Sequence, residues 1–300
     1  MLRVLLDKRN LSLVSKQDLL KNKLLLGTLL AKQLHTLPIR RFQDAEFSVF
    51  SQWGDDGLIQ LLVNELKDCP QTFIEFGVEN YTEANTRFLL QHNNWRGLIM
   101  DGSAENIASI QRDPIHFLYG LIAKQCFITA ENINYAIQES GFKGQIGILH
   151  IDIDGNDYWV WKSITCVQPW IVIMEYNSIF GSERAITVPY KADFMRTKAH
   201  HSNLFFGASL AALCTLAEEK GYAFIGVNSH GNNAFFVRKD VLTPLLSSFV
   251  CSVQAGYELA KFKEERTSEG ALTFRAPEAA LPNLKGLQVF NVLTNSLELL

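Results

Sequence analysis

The chain has 300 residues, of which 47% are hydrophobic and 20% charged, and its formal net charge is −3. This length can bury a core without disulfides or metals, and it fits one large domain with extensions or two small domains. The composition excludes a disordered or collagen-like chain, and the near-neutral charge argues against a nucleic-acid-binding protein.

The charge is unevenly distributed along the chain. Residues 1–43 contain nine Lys or Arg and only two Asp or Glu, together with fourteen Leu. Residues 2–36 are predicted to form two amphipathic helices, within a basic, Leu-rich extension that spans residues 1–48. We expect these leucines to pack on the body of the protein or on a second copy, and the extension is therefore the predicted contact of a homodimer.

From residue 51 onward, short apolar runs alternate with helical patterns, starting with a helix within residues 51–66. The predicted strands are residues 72–76, 97–100, 116–123, 146–153, 170–175, 223–227 and 234–238. The predicted helices that follow are residues 83–92, 129–140 and 208–220. This alternation predicts an α/β fold with a parallel sheet covered on both faces. The last two strands form a hairpin, which places one antiparallel strand in the sheet.

Small and acidic residues follow the first two predicted strands, at the edge where a parallel sheet binds its ligands. Gly77, shortly after Glu75, permits a tight turn and a close approach of the backbone to a ligand. Asp101 ends the second strand and is suited to accept hydrogen bonds from ribose hydroxyls. The pattern GxGxxG is absent, and Glu79 and Tyr81 leave an acidic turn that favours cationic S-adenosylmethionine over a dinucleotide. The alternative is that Gly77 is only a turn residue and Asp101 only a helix cap.

The fourth predicted strand ends in carboxylates, in the sequence HIDIDGNDY. Asp152 and Asp154 share one face of the strand with His150, because side chains alternate along a strand. Hard cations such as Mg²⁺ prefer oxygen ligands, and the fifth strand ends at Glu175, followed by Asn177. Asp154, Glu175 and Asn177 are the predicted metal ligands. The alternative is that Asp152 and Asp154 hold loop backbone amides and that Asp157 caps the next helix.

Histidines in the loops at this edge are candidates for a general base. His200 and His201 lie in the long connection after the fifth strand, and His230 lies in the hairpin turn. A neutral imidazole at either place can accept a proton from a substrate hydroxyl, whereas a lone loop histidine is more often simply solvated. His201 and Asp154 are the predicted catalytic residues.

Cysteine usage and the apolar stretches favour a cytoplasmic protein. The five cysteines are scattered and form no CxxC pair, which is typical of reduced thiols rather than of a disulfide framework or a zinc site. The apolar stretch at residues 24–31 is too short for a membrane span, and no signal-peptide cleavage site follows it. We therefore expect no membrane-spanning helix.

Several segments resemble one known family. FIEFGVENYTEANTRFLL, WRGLIMDGS, GILHIDIDGNDYWVWKSI, IVIMEYN and NSHGNNAFFVR are similar, in this order, to FkbM-type methyltransferases of the class I S-adenosylmethionine-dependent superfamily. The likeness implies a Rossmann-like, seven-stranded, mostly parallel sheet with a reversed last strand at residues 49–240. The likeness does not extend to the remaining residues, whose own patterns predict a helical N-terminal extension at residues 1–48 and a helical C-terminal extension at residues 241–300.

The same likeness implies roles for individual residues. Glu75 and Gly77 match the first cofactor motif, and Asp101 matches the acid that binds the ribose. Asp152 or Asp154 matches the end of the fourth strand, which faces cofactor and substrate in that family. The predicted cofactor-binding residues are therefore Glu75, Gly77, Asp101 and Asp152.

These observations predict an S-adenosylmethionine-dependent O-methyltransferase. Its acceptor is expected to be a small hydroxylated molecule such as a saccharide or a secondary metabolite, with Mg²⁺ or another divalent cation as a further candidate ligand. One alternative interprets Asp152 and Asp154 as the DxD motif of a metal-dependent glycosyltransferase. Another alternative is a catalytically degenerate methyltransferase fold that serves as a binding or scaffold subunit.

Overall fold

The computed structural model describes residues 16–300 of the chain. The longer α-helices in this part are α1 (Lys16–Gln33), α2 (Asp55–Glu65), α3 (Arg87–Asn93), α4 (Ala104–Arg112), α5 (Ile115–Leu118), α6 (Ile133–Glu139), α7 (Asp157–Ser163), α8 (Arg196–Ala199), α9 (Leu210–Glu219), α10 (Pro244–Phe249) and α11 (Val253–Gly256). The strands are β1 (Thr72–Phe76), β2 (Arg96–Asp101), β3 (Leu121–Gln125), β4 (Gly144–Ile151), β5 (Val167–Glu175), β6 (Ile186–Thr187), β7 (Tyr222–Val227), β8 (Asn233–Arg238), β9 (Gln288–Asn291) and β10 (Ser296–Leu299).

Seven strands form the main sheet in the order β3-β2-β1-β4-β5-β8-β7. The strands β1 to β5 pair in parallel, and β8 runs antiparallel to both β5 and β7. The chain crosses from β3 on one side of β1 to β4 on the other, which makes β1 and β4 the switch point of the sheet. The predicted Rossmann-like sheet with a reversed last strand is confirmed.

The sheet is covered on both faces because its strands are apolar on both faces, as expected for buried parallel strands. On one face Phe76 and Met174 pack with residues of α6, α7 and α9. On the other face Phe73 and Ile173 pack with residues of α2, α3 and α4. The two cores hold the carboxyl ends of the strands in fixed positions, and these ends carry the candidate site.

The third predicted strand, at residues 116–123, is shorter in the structure and begins later in the chain. Residues 115–118 form the helical turn α5, and the strand begins only at Leu121. The carboxylate of Asp113 accepts a hydrogen bond from the backbone N–H of Ile115, 2.9 Å away, and Pro114 precedes the helical turn. An Asp-Pro start of this kind favours a helix over a strand.

The secondary structure of the C-terminal extension differs from the sequence-based prediction, and the N-terminal extension is described only in part. In the N-terminal one, α1 packs on the body through Ala31, beside Val49 and Phe88, while the first of its two predicted helices lies largely outside the described residues. The C-terminal extension is not only helical, because β9 and β10 form a hairpin that pairs with β6. Within β9, Val289 is the buried residue.

Two further expectations concern cysteines and membranes. All five cysteines are free thiols in the structure. Across residues 16–300, no helix has both the length and the apolar character that crossing a membrane requires.

Candidate functional site

A cavity of about 670 Å³ opens at the carboxyl edge of the main sheet. It runs from the ends of β1, β2 and β3, through the ends of β4 and β5, to the start of β8. Residues of the segments 194–196 and 262–264 also line it. Its position is the switch point, where open α/β sheets bind their ligands, and its volume lies in the range of small-molecule sites.

The turn after β1 forms one end of the cavity. Gly77 has φ +72°, and a Cβ built there would lie 1.6 Å from the backbone oxygen of Asp152. Glu79 and Tyr81 also have positive φ values, of 48° and 61°. The turn therefore coils tightly against the end of β4, and only glycine fits at its first position.

Glu75 holds the segment that follows this turn, at the start of α3, rather than standing free in the cavity. One carboxylate oxygen accepts the backbone N–H of Asn85 at 2.9 Å, and the other accepts the backbone N–H and the hydroxyl of Thr86. His150, on neighbouring β4, places Nδ1 at 2.9 Å from the Glu75 carboxylate. Glu75 contributes to a cofactor site by fixing the backbone that surrounds it.

Glu75 and His150 also set each other's charge. Burial raises the pKa of Glu75, but the hydrogen bond and positive charge of His150 outweigh it, and the net shift is downward. Burial lowers the pKa of His150, and the hydrogen bond and charge of Glu75 reverse this to a net rise. The pair is an anchored ion pair in the wall of the cavity.

Asp101 ends β2 and lines the cavity beside the turn. One carboxylate oxygen accepts the backbone N–H of Glu79 at 2.9 Å. The other accepts the backbone N–H of Ser103 at 2.8 Å and the side-chain amide of Asn106 at 3.0 Å. Asp101 thus ties the turn to the start of α4, and a carboxylate with about four acceptor positions retains capacity for a ligand hydroxyl.

Three carboxylates meet at the ends of β4 and β5. Oxygens of Asp152, Asp154 and Glu175 all lie within 4.8 Å of one another. Asp154 has φ +57°, a conformation that aspartate tolerates better than most side chains. Glu175 is 9% exposed, and its Oε2 has no hydrogen-bond partner among the described residues. An unpartnered buried carboxylate oxygen is costly unless a proton or a cation occupies its neighbourhood.

The proximity of these carboxylates makes them hard to ionise together. Burial, followed by the charge of Asp154, raises the pKa of Asp152 from 3.8 to about 7. Burial and then the charges of Asp152 and Asp154 raise the pKa of Glu175 well above its ordinary value. Like charges in a poorly solvated site favour protonation, and a bound cation relieves the same repulsion.

Asn177 does not join this cluster. Its Nδ2 donates to the backbone oxygens of Leu204 and Phe206 at 2.8 and 3.0 Å, and its Oδ1 accepts the backbone N–H of Ile179 at 3.1 Å. Asn177 therefore fastens the loop after β5. The structure brings together two of the three predicted metal ligands, Asp154 and Glu175, and adds Asp152.

Asp157, which the alternative interpretation expected to cap the next helix, instead holds the amides of its own loop. Asp157 accepts the backbone N–H groups of Ile153 and Gly155, each at 2.8 Å. Burial raises its pKa from 3.8 to about 6, against the effect of these hydrogen bonds. Asp157 shapes the loop that presents Asp152 and Asp154.

The histidines are distributed differently from the candidate bases of the sequence. His201 is exposed and is not among the cavity-lining residues, and its ring lies 4.1 Å from that of His200. The structure therefore does not bring His201 to Asp154. His230 stacks on Trp53, with ring centroids 4.0 Å apart and planes 9° apart.

Arg196, in the lining segment 194–196, pairs with two carboxylates. Its guanidinium lies 2.6 Å from Asp154 and 2.5 Å from Glu264, and it stacks over Phe206 at 3.7 Å from the ring centroid. Arg196 thereby connects the β4 loop to the C-terminal extension. Sequence reasoning did not find it, because Asp154 and Glu264 are far from it in the chain.

The far end of the cavity contains aromatic rings and amides. Gln52 and Trp53 come from the loop before α2, Asn232 and Asn233 from the start of β8, and Phe262 from the C-terminal extension. The ring of Phe262 lies 6.0 Å from that of Trp53, at an angle of 16°. These residues were not predicted from the sequence, because they belong to three distant segments and carry no motif.

The cavity is strongly acidic. Eight carboxylates line it, against Arg196 as the single Lys or Arg among the described lining residues. These carboxylates belong to Glu75, Glu79, Glu83, Asp101, Asp152, Asp154, Glu175 and Glu264. Such a field attracts cations and repels phosphates.

The fold and the cavity together define a Rossmann-like α/β protein with a small-molecule site at its switch point. No protein-family model matches the sequence, and no curated protein matches it.

Solved structures with a similar fold include an O-methyltransferase from Bacillus cereus in complex with SAH. Its identity is 13% and its TM-score 0.40, and the alignment covers 76% of this chain and 94% of that one. The CurJ carbon methyltransferase has 8% identity and a TM-score of 0.42, covering 66% and 57%. The DszA carbon methyltransferase has 13% identity and a TM-score of 0.40, covering 62% and 53%. Function is therefore inferred from this chain's own residues.

Proposed function

We propose that this chain is an S-adenosylmethionine-dependent methyltransferase that acts on a hydroxyl group of a small acceptor. The observation that carries the proposal is the composition of the cavity at the switch point. Gly77, at a position where only glycine fits, and the carboxylate of Asp101 lie at one end of the cavity. Eight carboxylates line this cavity. This combination suits an adenosine-containing ligand that is also a cation.

The negative charge of the cavity favours S-adenosylmethionine over adenosine cofactors that carry phosphate groups. A dinucleotide carries a diphosphate, which needs backbone N–H groups or cations in front of it. Here the turn after β1 carries Glu79, and the nearest carboxylates add more negative charge. A sulfonium and an ammonium group are favoured in the same place. The charge also weighs against a nucleotide-sugar donor.

The lining residues fit the parts of the cofactor. Met100 in β2, together with Phe127 and Ile128 after β3, offers an apolar surface for an adenine ring. Asp101 is placed to accept hydrogen bonds from ribose hydroxyls. When bound, S-adenosylmethionine supplies an electrophilic methyl group on sulfur.

The acceptor hydroxyl needs a group that takes its proton. We assign this role to the carboxylates at the end of β4, Asp152 and Asp154. The pKa of Asp152, raised to about 7 by burial and by Asp154, lies near neutral pH, where a general base works best. Holding the acceptor oxygen in line with the methyl group contributes up to about 7–11 kcal/mol when the geometry is ideal.

As the alternative to a carboxylate base, we propose a divalent cation at Asp152, Asp154 and Glu175, because a carboxylate that coordinates a cation does not also accept the proton. Three carboxylate oxygens within 4.8 Å of one another are a suitable ligand set for Mg²⁺ or Mn²⁺, with water completing the shell. A cation there lowers the pKa of a coordinated hydroxyl and removes the mutual repulsion of the carboxylates. The FkbM-type assignment remains a prediction from the sequence.

Calorimetric titration with S-adenosylmethionine and S-adenosylhomocysteine tests the proposal. We expect binding by the wild type and at least tenfold weaker binding by Asp101→Asn. Asp240→Asn, which changes an exposed carboxylate paired with Arg238, is the control and should bind normally. No binding by the wild type, with and without Mg²⁺ or Mn²⁺, would contradict the proposal. Binding without methyl transfer to any hydroxylated acceptor would favour the scaffold alternative.

A further inference from the structure

We propose that the aromatic and amide end of the cavity is the acceptor subsite, built for a neutral hydroxylated ring such as a pyranoside. The subsite consists of Gln52, Trp53, Asn232, Asn233 and Phe262. This inference rests on the proposed function, because it assigns the acceptor to the end of the cavity opposite Gly77 and Asp101.

Asn228 orients the side-chain amide of Asn232. The Oδ1 of Asn228 accepts the backbone N–H groups of Gly231 and Asn232 at 3.1 and 3.2 Å. Its Nδ2 must therefore donate, and it lies 2.8 Å from Asp55 and 2.8 Å from the Oδ1 of Asn232. Because Oδ1 of Asn232 is the atom that accepts, its Nδ2 remains a donor without a partner among the described residues.

In Asn233 the amide nitrogen is the paired atom and the amide oxygen is the unpaired one. Its Nδ2 donates to the other carboxylate oxygen of Asp55, 2.7 Å away. Its Oδ1 is buried without any hydrogen-bond partner in the part of the chain that the structure describes. Neighbouring residues thus present a donor at Asn232 and an acceptor at Asn233, and a ligand hydroxyl can satisfy either one.

The aromatic residues complete the subsite. Trp53 stacks with His230, at 4.0 Å and 9°, which holds the indole in one plane. The Nε1 of Trp53 is buried and has no partner among the described residues, so it is a second donor in need of an acceptor. The flat rings of Trp53 and Phe262 suit the C–H faces of a saturated ring, while the amides suit its hydroxyls.

Charge distinguishes a neutral ring from its competitors. The five residues of the subsite are uncharged, and Glu175 lies directly across from Asn233 in the pairing of β5 with β8. The nearby carboxylates repel an anionic acceptor such as a carboxylate or a phosphate ester. Unpaired amide and indole groups gain nothing from a wholly apolar acceptor. A neutral polyhydroxylated ring meets both conditions.

Saturation-transfer NMR with three methyl glycosides tests the subsite: the methyl glucopyranoside, galactopyranoside and rhamnopyranoside. We expect saturation transfer to at least one of them, reduced at least fivefold in Trp53→Phe and Phe262→Leu. Trp170→Phe removes an indole N–H outside the cavity, where Gln145 accepts it, and should behave as the wild type. Two variants are used because either one alone could disturb folding, which circular dichroism checks.

The outcomes separate this inference from the proposed function, because S-adenosylhomocysteine binding is measured in parallel. Cofactor binding without saturation transfer to any glycoside overturns the subsite and leaves the methyltransferase proposal in place. Glycoside binding that is lost in both variants supports the subsite even if the cofactor does not bind. Transfer that persists unchanged in both folded variants overturns it.

Discussion

Gly77 and the backbone oxygen of Asp152 are so close that a Cβ on Gly77 would lie 1.6 Å from that oxygen. The contact joins the turn after β1 to the loop after β4, and these two loops carry the two halves of the proposed site. The spacing between the cofactor end and the carboxylate cluster is therefore set by a glycine. Any side chain at residue 77 must push the two loops apart.

Gly77→Ala should destabilise the fold and abolish cofactor binding. The clash is with backbone, which cannot rotate away, and overpacking of this kind costs about 1–3 kcal/mol. The positive φ adds a further cost. Gly144→Ala is the matched control, because Gly144 has φ +69° with nothing within 4 Å of its added Cβ. Urea unfolding should show a clearly larger loss for Gly77→Ala, and equal losses would contradict the role of the contact.

Asp152→Asn should flatten the pH dependence of stability. The native pKa of Asp152 is raised from 3.8 to about 7, so the native state keeps a proton that the unfolded chain has released. Stability contributed by this group is present below pH 4 and is lost as the pH rises towards 7. The free energy of unfolding, measured at pH 5, 6, 7 and 8, should fall less steeply in Asp152→Asn. A slope identical to that of the wild type would contradict the raised pKa of Asp152.

Divalent cations should stabilise the protein through the same cluster. Mn²⁺ or Mg²⁺ compensates the repulsion among Asp152, Asp154 and Glu175, so the melting temperature should rise with added cation, most at pH 7–8 where protons no longer do so. Asp152→Asn and Glu175→Gln should lose the effect. Glu83→Gln removes another cavity carboxylate and should keep it. A cation effect that Glu83→Gln weakens equally would indicate screening rather than a site.

Local patterns in the sequence were sufficient to find most strands of the main sheet. The predicted strand at residues 72–76 has the bounds of β1, and the apolar runs of β4 and β5 were found with shifted ends. Long buried strands are recognisable in a sequence because both of their faces are mostly apolar. The strand β3 was misplaced because its preceding turn, Asp113-Pro114, nucleates a helix that hydrophobicity alone does not show.

The site could be predicted only in part, for a physical reason. Gly77, Asp101 and Asp154 lie at strand ends, and the geometry of a parallel sheet gathers strand ends at one edge. Trp53 and Phe262 reach the same cavity through tertiary folding that no local pattern encodes. Asn177 shows the opposite error. It lies next to the end of β5, as a ligand of the site would, but its side-chain amide donates to the backbone oxygens of residues 204 and 206 and is not available to a metal.

The exposed leucines of α1 allow the predicted homodimer to be tested by substitution. Leu20, Leu24 and Ala31 face the body, whereas Leu19, Leu26 and other leucines on the opposite side are 39–61% exposed. We expect the wild type to have twice the monomer mass in light scattering, and Leu26→Lys to have the monomer mass. Leu297→Lys, at an exposed leucine of β10, is the control. A monomeric wild type would contradict the dimer.

Arg196 and a metal ion should compete for Asp154. The guanidinium lies 2.6 Å from this carboxylate, so a cation that uses Asp154 as a ligand must displace or share it. Replacing Arg196 by Met removes a positive charge next to the cluster, and Mn²⁺ affinity should rise roughly tenfold or more.

The same substitution also removes a structural tie, because Arg196 pairs with Glu264 and covers Phe206. Arg196→Met should therefore unfold more easily than the wild type without metal and recover part of that loss with Mn²⁺. Arg196→Lys keeps the charge and should bind Mn²⁺ as the wild type does. Isothermal titration with Mn²⁺ and thermal unfolding of the three proteins measure both effects. An unchanged or weaker affinity in folded Arg196→Met would mean that Asp154 serves Arg196 alone and that the cation site, if formed, uses Asp152 and Glu175 without it.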